Sequence, residues 1–322
     1  MVPSFCLAGP VGLTSLTSDS SNGDFNTYLA THSYDGTNFF LNTDTGGMIA
    51  GHYNSSFGAI FGYQLDGITP TTVVTANGTV NVFNFSAFSL PQGYGLTLYG
   101  HSAAAILANG SMTIAGGAGG FGAGYRGAND YGTAGSGGGG GMVTAGGDGT
   151  AGNSGAAGAG GVATDMGILQ GGGGGGGCGA YCYDGGRDGG QGGGAAFFGA
   201  ANDFTITSTG IVAANGWGGQ SNAYVASGAG GGGAGGALWF RASGTWANYG
   251  IVTAQGAAGG YISGTYPGLA GSGAGGYVNI DPSLIINDGT INVSNGLGGA
   301  GWPCHHRQSN HRLRNGDRRH QS

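Results

Sequence analysis

In the middle of this 322-residue chain, glycine recurs on a strict beat of three. Gly146, Gly149, Gly152, Gly155, Gly158 and Gly161 open consecutive G-x-x triplets, and Gly132, Gly135, Gly138 and Gly141 keep the same spacing just upstream. This period matches neither the roughly 3.6 residues of an α-helical turn nor the two-residue alternation of a strand. It matches the polyproline-II conformation, which turns once every three residues and forms no hydrogen bonds within itself. Such a backbone must bond to neighbouring segments or to water. Side by side, helices faced with glycine approach closely enough to bond one another, which makes a stiff scaffold without a conventional side-chain core. That points to structure or display rather than catalysis.

Composition narrows the fold class. The chain contains 82 Gly, no Lys and no Glu; its charge comes from 14 Asp and 8 Arg, so 7% of residues are charged against about 25% in an ordinary soluble domain. The straight-chain residues that favour helices are missing or scarce, whereas Val, Ile, Thr, Tyr and Phe occur in short clusters that favour strands. High glycine content alone signals disorder, but 15 Tyr, 14 Phe, 4 Trp and a mean hydropathy of −0.01 leave enough apolar surface to bury. The expectation is a folded, all-β chain. No apolar run approaches the ~18–20 residues of a membrane-spanning helix. Met1–Gly9 is too short for a complete signal peptide; it reads either as the remnant of one, ending near Ala8, or as ordinary chain.

Three zones are expected. Residues 1–70 form an aromatic-rich β region punctuated at Ser21-Asn22-Gly23-Asp24, Tyr34-Asp35-Gly36 and Asp44-Thr45-Gly46-Gly47. Residues 71–302 form a glycine-rich repeat domain. It opens with strands at 80–85, 96–99, 104–107 and 112–114, and Asn77-Gly78 and Asn109-Gly110 suit turns with positive φ. Residues 303–322 hold Arg307, Arg312, Arg314, Arg318 and Arg319 against Asp317, a formal charge of +4, while the remaining three Arg and 13 Asp give −10. This basic tail is expected to be solvated and disordered, and its abrupt change of composition suits a segment foreign to the fold. Nucleic-acid contact is the alternative use for such a tail, and none is expected here.

Within the repeat domain, Ile211-Val-Ala-Ala-Asn-Gly216 recurs as Ile251-Val-Thr-Ala-Gln-Gly256 and as Ile291-Asn-Val-Ser-Asn-Gly296, at an offset of 40 residues. Gly231, Gly233, Gly235 and Gly236 map onto Gly271, Gly273, Gly275 and Gly276, and Phe198, Leu238 and Val278 follow at the same spacing. A fixed period in this range marks a repeat architecture. Each unit contributes two short strands that stack on their neighbours, plus a glycine excursion on one side. The expected fold is therefore a β-solenoid-like repeat with polyglycine-II excursions.

The run Phe83–Gly93, with Leu96-Thr-Leu98, Ile106-Leu-Ala-Asn-Gly110 and Thr113–Gly120, resembles glycine-rich secreted bacterial surface proteins with β-solenoid repeats; with the 40-residue repeat, the resemblance spans roughly 75–300. The tracts Gly171–Gly177 and Gly228–Gly236 are also similar to the polyglycine-II tail-tip adhesins of T-even-like phages. In that family a glycine sandwich presents receptor-binding loops.

The sharpest local motif is Cys178-Gly-Ala-Tyr-Cys182. Two cysteines four apart suit a small disulfide at a loop tip in an exported protein, with free thiols or a metal site as alternatives, although zinc would need ligands that do not lie nearby. Tyr181, Tyr183, Asp184, Arg187 and Asp188 gather in the same loop, and Trp217, Tyr224, Tyr261 and Tyr266 lie in later excursions. Aromatics stack on sugar faces while Asp and Arg orient hydroxyls, so these residues are the candidate binding loop; a structural loop with a local Asp–Arg pair is the plainer alternative. With scattered Asp and neither Lys nor Glu, the acid and base of carbohydrate-cleaving solenoids are not apparent, and no catalytic residue, metal or cofactor is expected. The expected role is a non-catalytic extracellular structural or adhesive protein, self-associating into a surface layer, appendage or filament. The alternative is a phage receptor-binding adhesin recognising a host glycan or protein on a virion tail fibre, and the third a solenoid carbohydrate enzyme.

Overall fold

The computed structural model describes residues 16–32, 37–54, 59–75, 78–120, 169–175, 189–219, 221, 229–261 and 270–296. One short helix, α1 (Phe25–Thr31), interrupts the N-terminal region that the sequence predicts to be β-rich. Asp24 caps it by accepting the Asn26 N–H at 2.8 Å, and Phe25 and Leu29, one turn apart on the same face, are buried.

The rest is strand. β1 (Asn38–Asn42), β2 (Met48–Asn54) and β3 (Ala59–Leu65) form an antiparallel meander, and β4 (Thr71–Thr75) pairs antiparallel with β5 (Gly78–Phe85). From β5 onward the chain repeats one course: β5, β6 (Phe88–Leu90) and β7 (Gly95–Tyr99); then β8 (Ala103–Ala108), β9 (Met112–Ile114) and β10 (Gly117–Gly120); then β11 (Ala195–Ala200), β12 (Phe204–Ile206) and β13 (Ile211–Ala213). In the last two courses the first two strands fuse, giving β14 (Ala237–Asn248) with β15 (Ile251–Thr253), and β16 (Tyr277–Asn287) with β17 (Thr290–Asn292). Equivalent strands pair in parallel. One mixed sheet runs β17-β15-β13-β10-β7-β1-β2-β3; the other runs β4-β5-β8-β11-β14-β12-β9-β6, with β16 on β14.

The parallel register aligns like side chains into columns. Phe83, Ile106, Phe198, Phe240 and Ile280 form one. Phe88, Met112, Phe204, Trp246 and Ile285 form a second, and Phe39, Leu96, Ala118, Val212, Val252 and Ile291 a third. The first two meet through aromatic edges: the Phe204 and Phe240 rings lie 5.3 Å apart and those of Phe240 and Trp246 5.6 Å. Apart from Ile285, the members of all three columns belong to or pack against one buried cluster, in which each large buried side chain contributes about 1.5–3 kcal/mol.

The register corrects the repeat in two places. Ile211 pairs with Ile251 at the expected 40, but Ile251 pairs with Thr290 and Val252 with Ile291. An irregularity between Ala242 and Thr245 drops one residue from the pairing of β14 with β16. Ile291 therefore joins the inward column, whereas Ile211 and Ile251 face outward, each 42% exposed. Likewise Phe198 stacks on Phe240 and not on Leu238, a two-residue shift that keeps the inward face. Asn109-Gly110 does connect two strands, but neither residue has positive φ, because the link turns a corner between parallel ladders and not a hairpin.

Between courses the chain runs out into extended tracts that belong to no strand: 169–175, 189–194, 214–219, 229–236, 254–260, 270–276 and 293–296. They bond to each other every third residue. Gly172 and Gly175 donate to Gly193 and Gly190; Gly190 and Gly193 donate to Gly231 and Ala234; Gly216 and Gly219 to Gln255 and Ala258; Gly232 and Gly235 to Gly271 and Ala274, at 2.7–3.1 Å. The approach leaves no room for side chains: a Cβ on Gly236 would lie 2.7 Å from the Gly193 carbonyl carbon. This layer packs on the outside of β8, β11 and β14, where Ala234, Ala274 and Leu169 join Ala105, Leu107, Phe197 and Trp239 in a second buried cluster. Strands β8 and β11 are thus buried on both faces, which explains their unbroken apolar runs beside the alternation of β7.

Candidate functional site

The stack has two unlike ends. At the N-terminal end β3 and β4 are the terminal strands of the two sheets, and α1 lies against β6, tied to it by a bridge between Asp24 and Ala87. Neither edge strand carries a charge or a proline. Tyr63 is 72% exposed and Val74 81%, because both overhang the last buried course.

Between these edges lies an open depression of about 740 Å³, bordered by Asp19, Asp24, Asp66, Tyr28 and His32. The Tyr28 hydroxyl donates to the Asp66 carbonyl at 2.6 Å, and Asn22 Nδ2 to the Thr69 carbonyl at 2.8 Å, so the depression's wall is braced by backbone contacts. Hydrogen bonds from Ser21, side chain first and backbone second, hold the Asp19 carboxyl below its usual pKa. Held this way, the Asp19 carboxylate is anionic at neutral pH and suits contacts with cations or hydroxyls. Among the described residues no group of three His, Cys, Asp or Glu is arranged to hold a metal ion.

At the C-terminal end β16 and β17 are the last strands of their ladders. Leu284 is 56% exposed and Ile285 49%, although Trp246, one course earlier in the same column, is fully buried. Asp281 and Asp288 are exposed there. Along the flank, turn 43–47 is anchored by Asp44, whose carboxylate accepts the N–H groups of His101 at 3.0 Å and Ser102 at 2.8 Å. Partial burial pushes this carboxyl up; hydrogen bonds from Ser102 and His101 outweigh it and hold the pKa below the usual value.

Of the residues singled out from sequence, Trp217 sits half-buried in tract 214–219, its N–H donating to Gln191 and its carbonyl accepting from Gly233, so its backbone is part of the glycine layer. Tyr261 is 57% exposed at the edge of that layer, its N–H donating to Ser221 Oγ at 3.2 Å. Cys178, Tyr181, Cys182, Tyr183, Asp184, Arg187, Asp188, Tyr224 and Tyr266 lie outside the described residues, as do the triplets at 132–161 and the tail at 303–322. Gly175 N donates to Gly190 O, so the described residues that bracket positions 176–188 are bonded to each other within the layer. Sequence reasoning named no residue of the end surfaces. The one available signal was Asp24-Phe25-x-x-x-Leu29, a cap followed by an apolar pair at helical spacing.

No helix among the described residues is long and apolar enough to cross a membrane, which says nothing about a β-barrel. Comparison with protein families, curated proteins and solved structures finds no match to this chain.

Proposed function

We propose that this chain is a non-catalytic extracellular structural or adhesive protein: a β-solenoid stiffened along one flank by a polyglycine-II layer. The observation that carries this reading is the three-residue ladder of amide–carbonyl bonds linking successive glycine tracts, the period expected of bundled polyglycine-II helices. Such a layer uses backbone groups for cohesion and leaves excursion loops on a rigid base. A low charge density favours assembly with like surfaces over electrostatic recognition of free substrates.

Amide exchange tests the scaffold. Tracts 169–175, 189–194, 214–219, 229–236, 254–260 and 270–276 are expected to exchange as slowly as β11 and β14; exchange as fast as in an unfolded control overturns the proposal. Incubation with a polysaccharide panel is expected to release no reducing ends, and release that depends on particular Asp residues would move the protein to the carbohydrate enzymes. A second reading, a phage receptor-binding tip, is favoured by the bond between Gly175 and Gly190, which joins the chain on either side of Tyr181–Asp188. It requires that replacing Tyr181, Tyr183 and Arg187 abolish attachment to a host cell.

A further inference from the structure

We propose that Asn109 is a site of spontaneous covalent modification, its side-chain amide converting to aspartate and isoaspartate through attack by the main-chain nitrogen of Gly110. The proposal goes beyond the scaffold reading. Asn followed by Gly suits this chemistry, because glycine has no side chain to obstruct ring closure and turns freely about its own backbone. The chain holds six such pairs, at Asn22, Asn77, Asn109, Asn215, Asn295 and Asn315. Asn77 and Asn315 lie outside the described residues. By sequence the other four are equivalent; the fold makes them unequal.

Two groups must be free for the ring to close: the carboxamide, which swings over the main chain, and the N–H of the following glycine, which loses its proton. Three of the four pairs have both engaged. Asn22 Nδ2 donates to the Thr69 carbonyl at 2.8 Å, its Oδ1 accepts the Asn84 N–H at 2.6 Å, and the Gly23 N–H donates to the Ser20 carbonyl at 3.0 Å. Asn215 Oδ1 accepts from Gln255 N at 2.7 Å and from Thr253 Oγ1 at 2.9 Å, and the Gly216 N–H donates to the Gln255 carbonyl at 2.8 Å. Asn295 Oδ1 accepts the Gly275 N–H at 2.8 Å, and the Gly296 N–H donates to the Gly273 carbonyl at 2.9 Å. Asn109 is exposed, and among the described residues neither its carboxamide nor the Gly110 N–H meets a hydrogen-bond partner. The corner between β8 and β9 is held by other main-chain groups: the Asn109 N–H donates to the Phe85 carbonyl at 2.9 Å, and the Gly110 carbonyl accepts the Asn202 N–H at 3.2 Å. Breaking two bonds of the kind that hold the other pairs slows a reaction by about tenfold to a hundredfold.

In the step itself the Gly110 nitrogen bonds to Asn109 Cγ and gives up its proton to solvent, the Cγ–Nδ2 bond breaks, and ammonia leaves. Water then opens the cyclic imide, at Cγ to give aspartate or at the main-chain carbonyl to give isoaspartate, whose main chain runs one methylene longer. Either product adds a carboxylate to the corner where Asn202 and Asp203 bond the Gly110 carbonyl and the Met112 N–H. To test this, the full chain is aged at mildly alkaline pH, folded and in urea, and digested with chymotrypsin. Mass spectrometry with electron-transfer fragmentation then reads each Asn-Gly pair. In the folded chain Asn109 is expected to convert about tenfold faster or more than Asn22, Asn215 and Asn295, whose opening must precede reaction; in urea the four rates should converge. Gly110→Ala should fold, since a Cβ there meets nothing closer than the Ser86 carbonyl oxygen at 3.6 Å and Gly110 has no positive φ. With that methyl group beside the attacking nitrogen, conversion should slow about tenfold, and far-UV circular dichroism checks that the variant is folded. Conversion of Asn109 no faster than that of the other three in the folded chain, a slowing on folding equal to theirs, or an unchanged rate in Gly110→Ala would overturn the proposal.

Discussion

Within tract 214–219, three glycines meet three different surroundings, and alanine at each makes a discriminating experiment. A Cβ on Gly216 would lie 2.5 Å from the Gly233 carbonyl carbon and 2.6 Å from the Ala234 oxygen; on Gly219 it would lie 2.6 Å from the Gly231 oxygen; on Gly218 the nearest atom, the Ala258 oxygen, is 3.6 Å away. Relieving the first clash requires the tract to retreat by about 1 Å from its neighbour, since ordinary carbon contacts lie near 3.5–4.0 Å. Two bonds cross that boundary nearby, Gly233 N to Trp217 O at 2.9 Å and Gly236 N to Ala214 O at 2.6 Å. Losing both costs about 1 kcal/mol each and overpacking a further 1–3 kcal/mol. Alanine's smaller unfolded-state entropy returns about 0.4–1 kcal/mol. Gly216→Ala and Gly219→Ala should therefore destabilise by about 2–4 kcal/mol, lowering Tm by roughly 5–15 °C for a domain of this size. Gly218→Ala, with space for its methyl group, should be neutral or stabilising by up to about 1 kcal/mol. Urea unfolding followed by far-UV circular dichroism and Trp fluorescence reads all three. If Gly216→Ala and Gly218→Ala agree within about 0.5 kcal/mol, the close-packed glycine layer is refuted.

Two further tests probe the columns and the flank. Trp246→Ala, in a fully buried site, should cost about 3–5 kcal/mol, whereas Ile285→Ala, one course later in the same column and 49% exposed, should cost about 1 kcal/mol; equal losses on equilibrium unfolding would contradict the stack. Asp44 has a folded-state pKa below its unfolded value, so its contribution is fully present above about pH 4 and is lost as pH falls through the folded pKa. The stability gap between wild type and Asp44→Asn should thus close on acidification, and a gap that stays constant from about pH 5 to about pH 2 would exclude the carboxylate as the anchor of turn 43–47.

Strand positions at 80–85, 96–99, 104–107 and 112–114 were legible because alternation and β-branched clusters operate within a few residues. The 40-residue period was legible too, since parallel stacking requires like residues at like heights. Its register was not. Ile211, Ile251 and Ile291 are alike in sequence, yet the irregularity between Ala242 and Thr245 turns Ile291 inward while the other two face out. A single unpaired residue exchanges the two faces of every strand after it, and no local pattern announces which residue it will be.

The candidate site divides along the same line. Tyr181, Tyr183, Asp184, Arg187 and Asp188 stand out by composition alone, as an aromatic and charged island between glycine runs. The end faces have no such signature. Tyr63, Val74 and Leu284 look like ordinary strand residues, and only their place on the first or last course leaves them uncovered. By itself the sequence determined the class of backbone: no Lys or Glu, scarce helix formers, and glycine frequent enough for main chains to touch. Which tract touches which, which isoleucines face the core and which edges lack a neighbour were decided by tertiary structure, because each depends on contacts between residues about 40 positions apart, beyond the reach of any local preference.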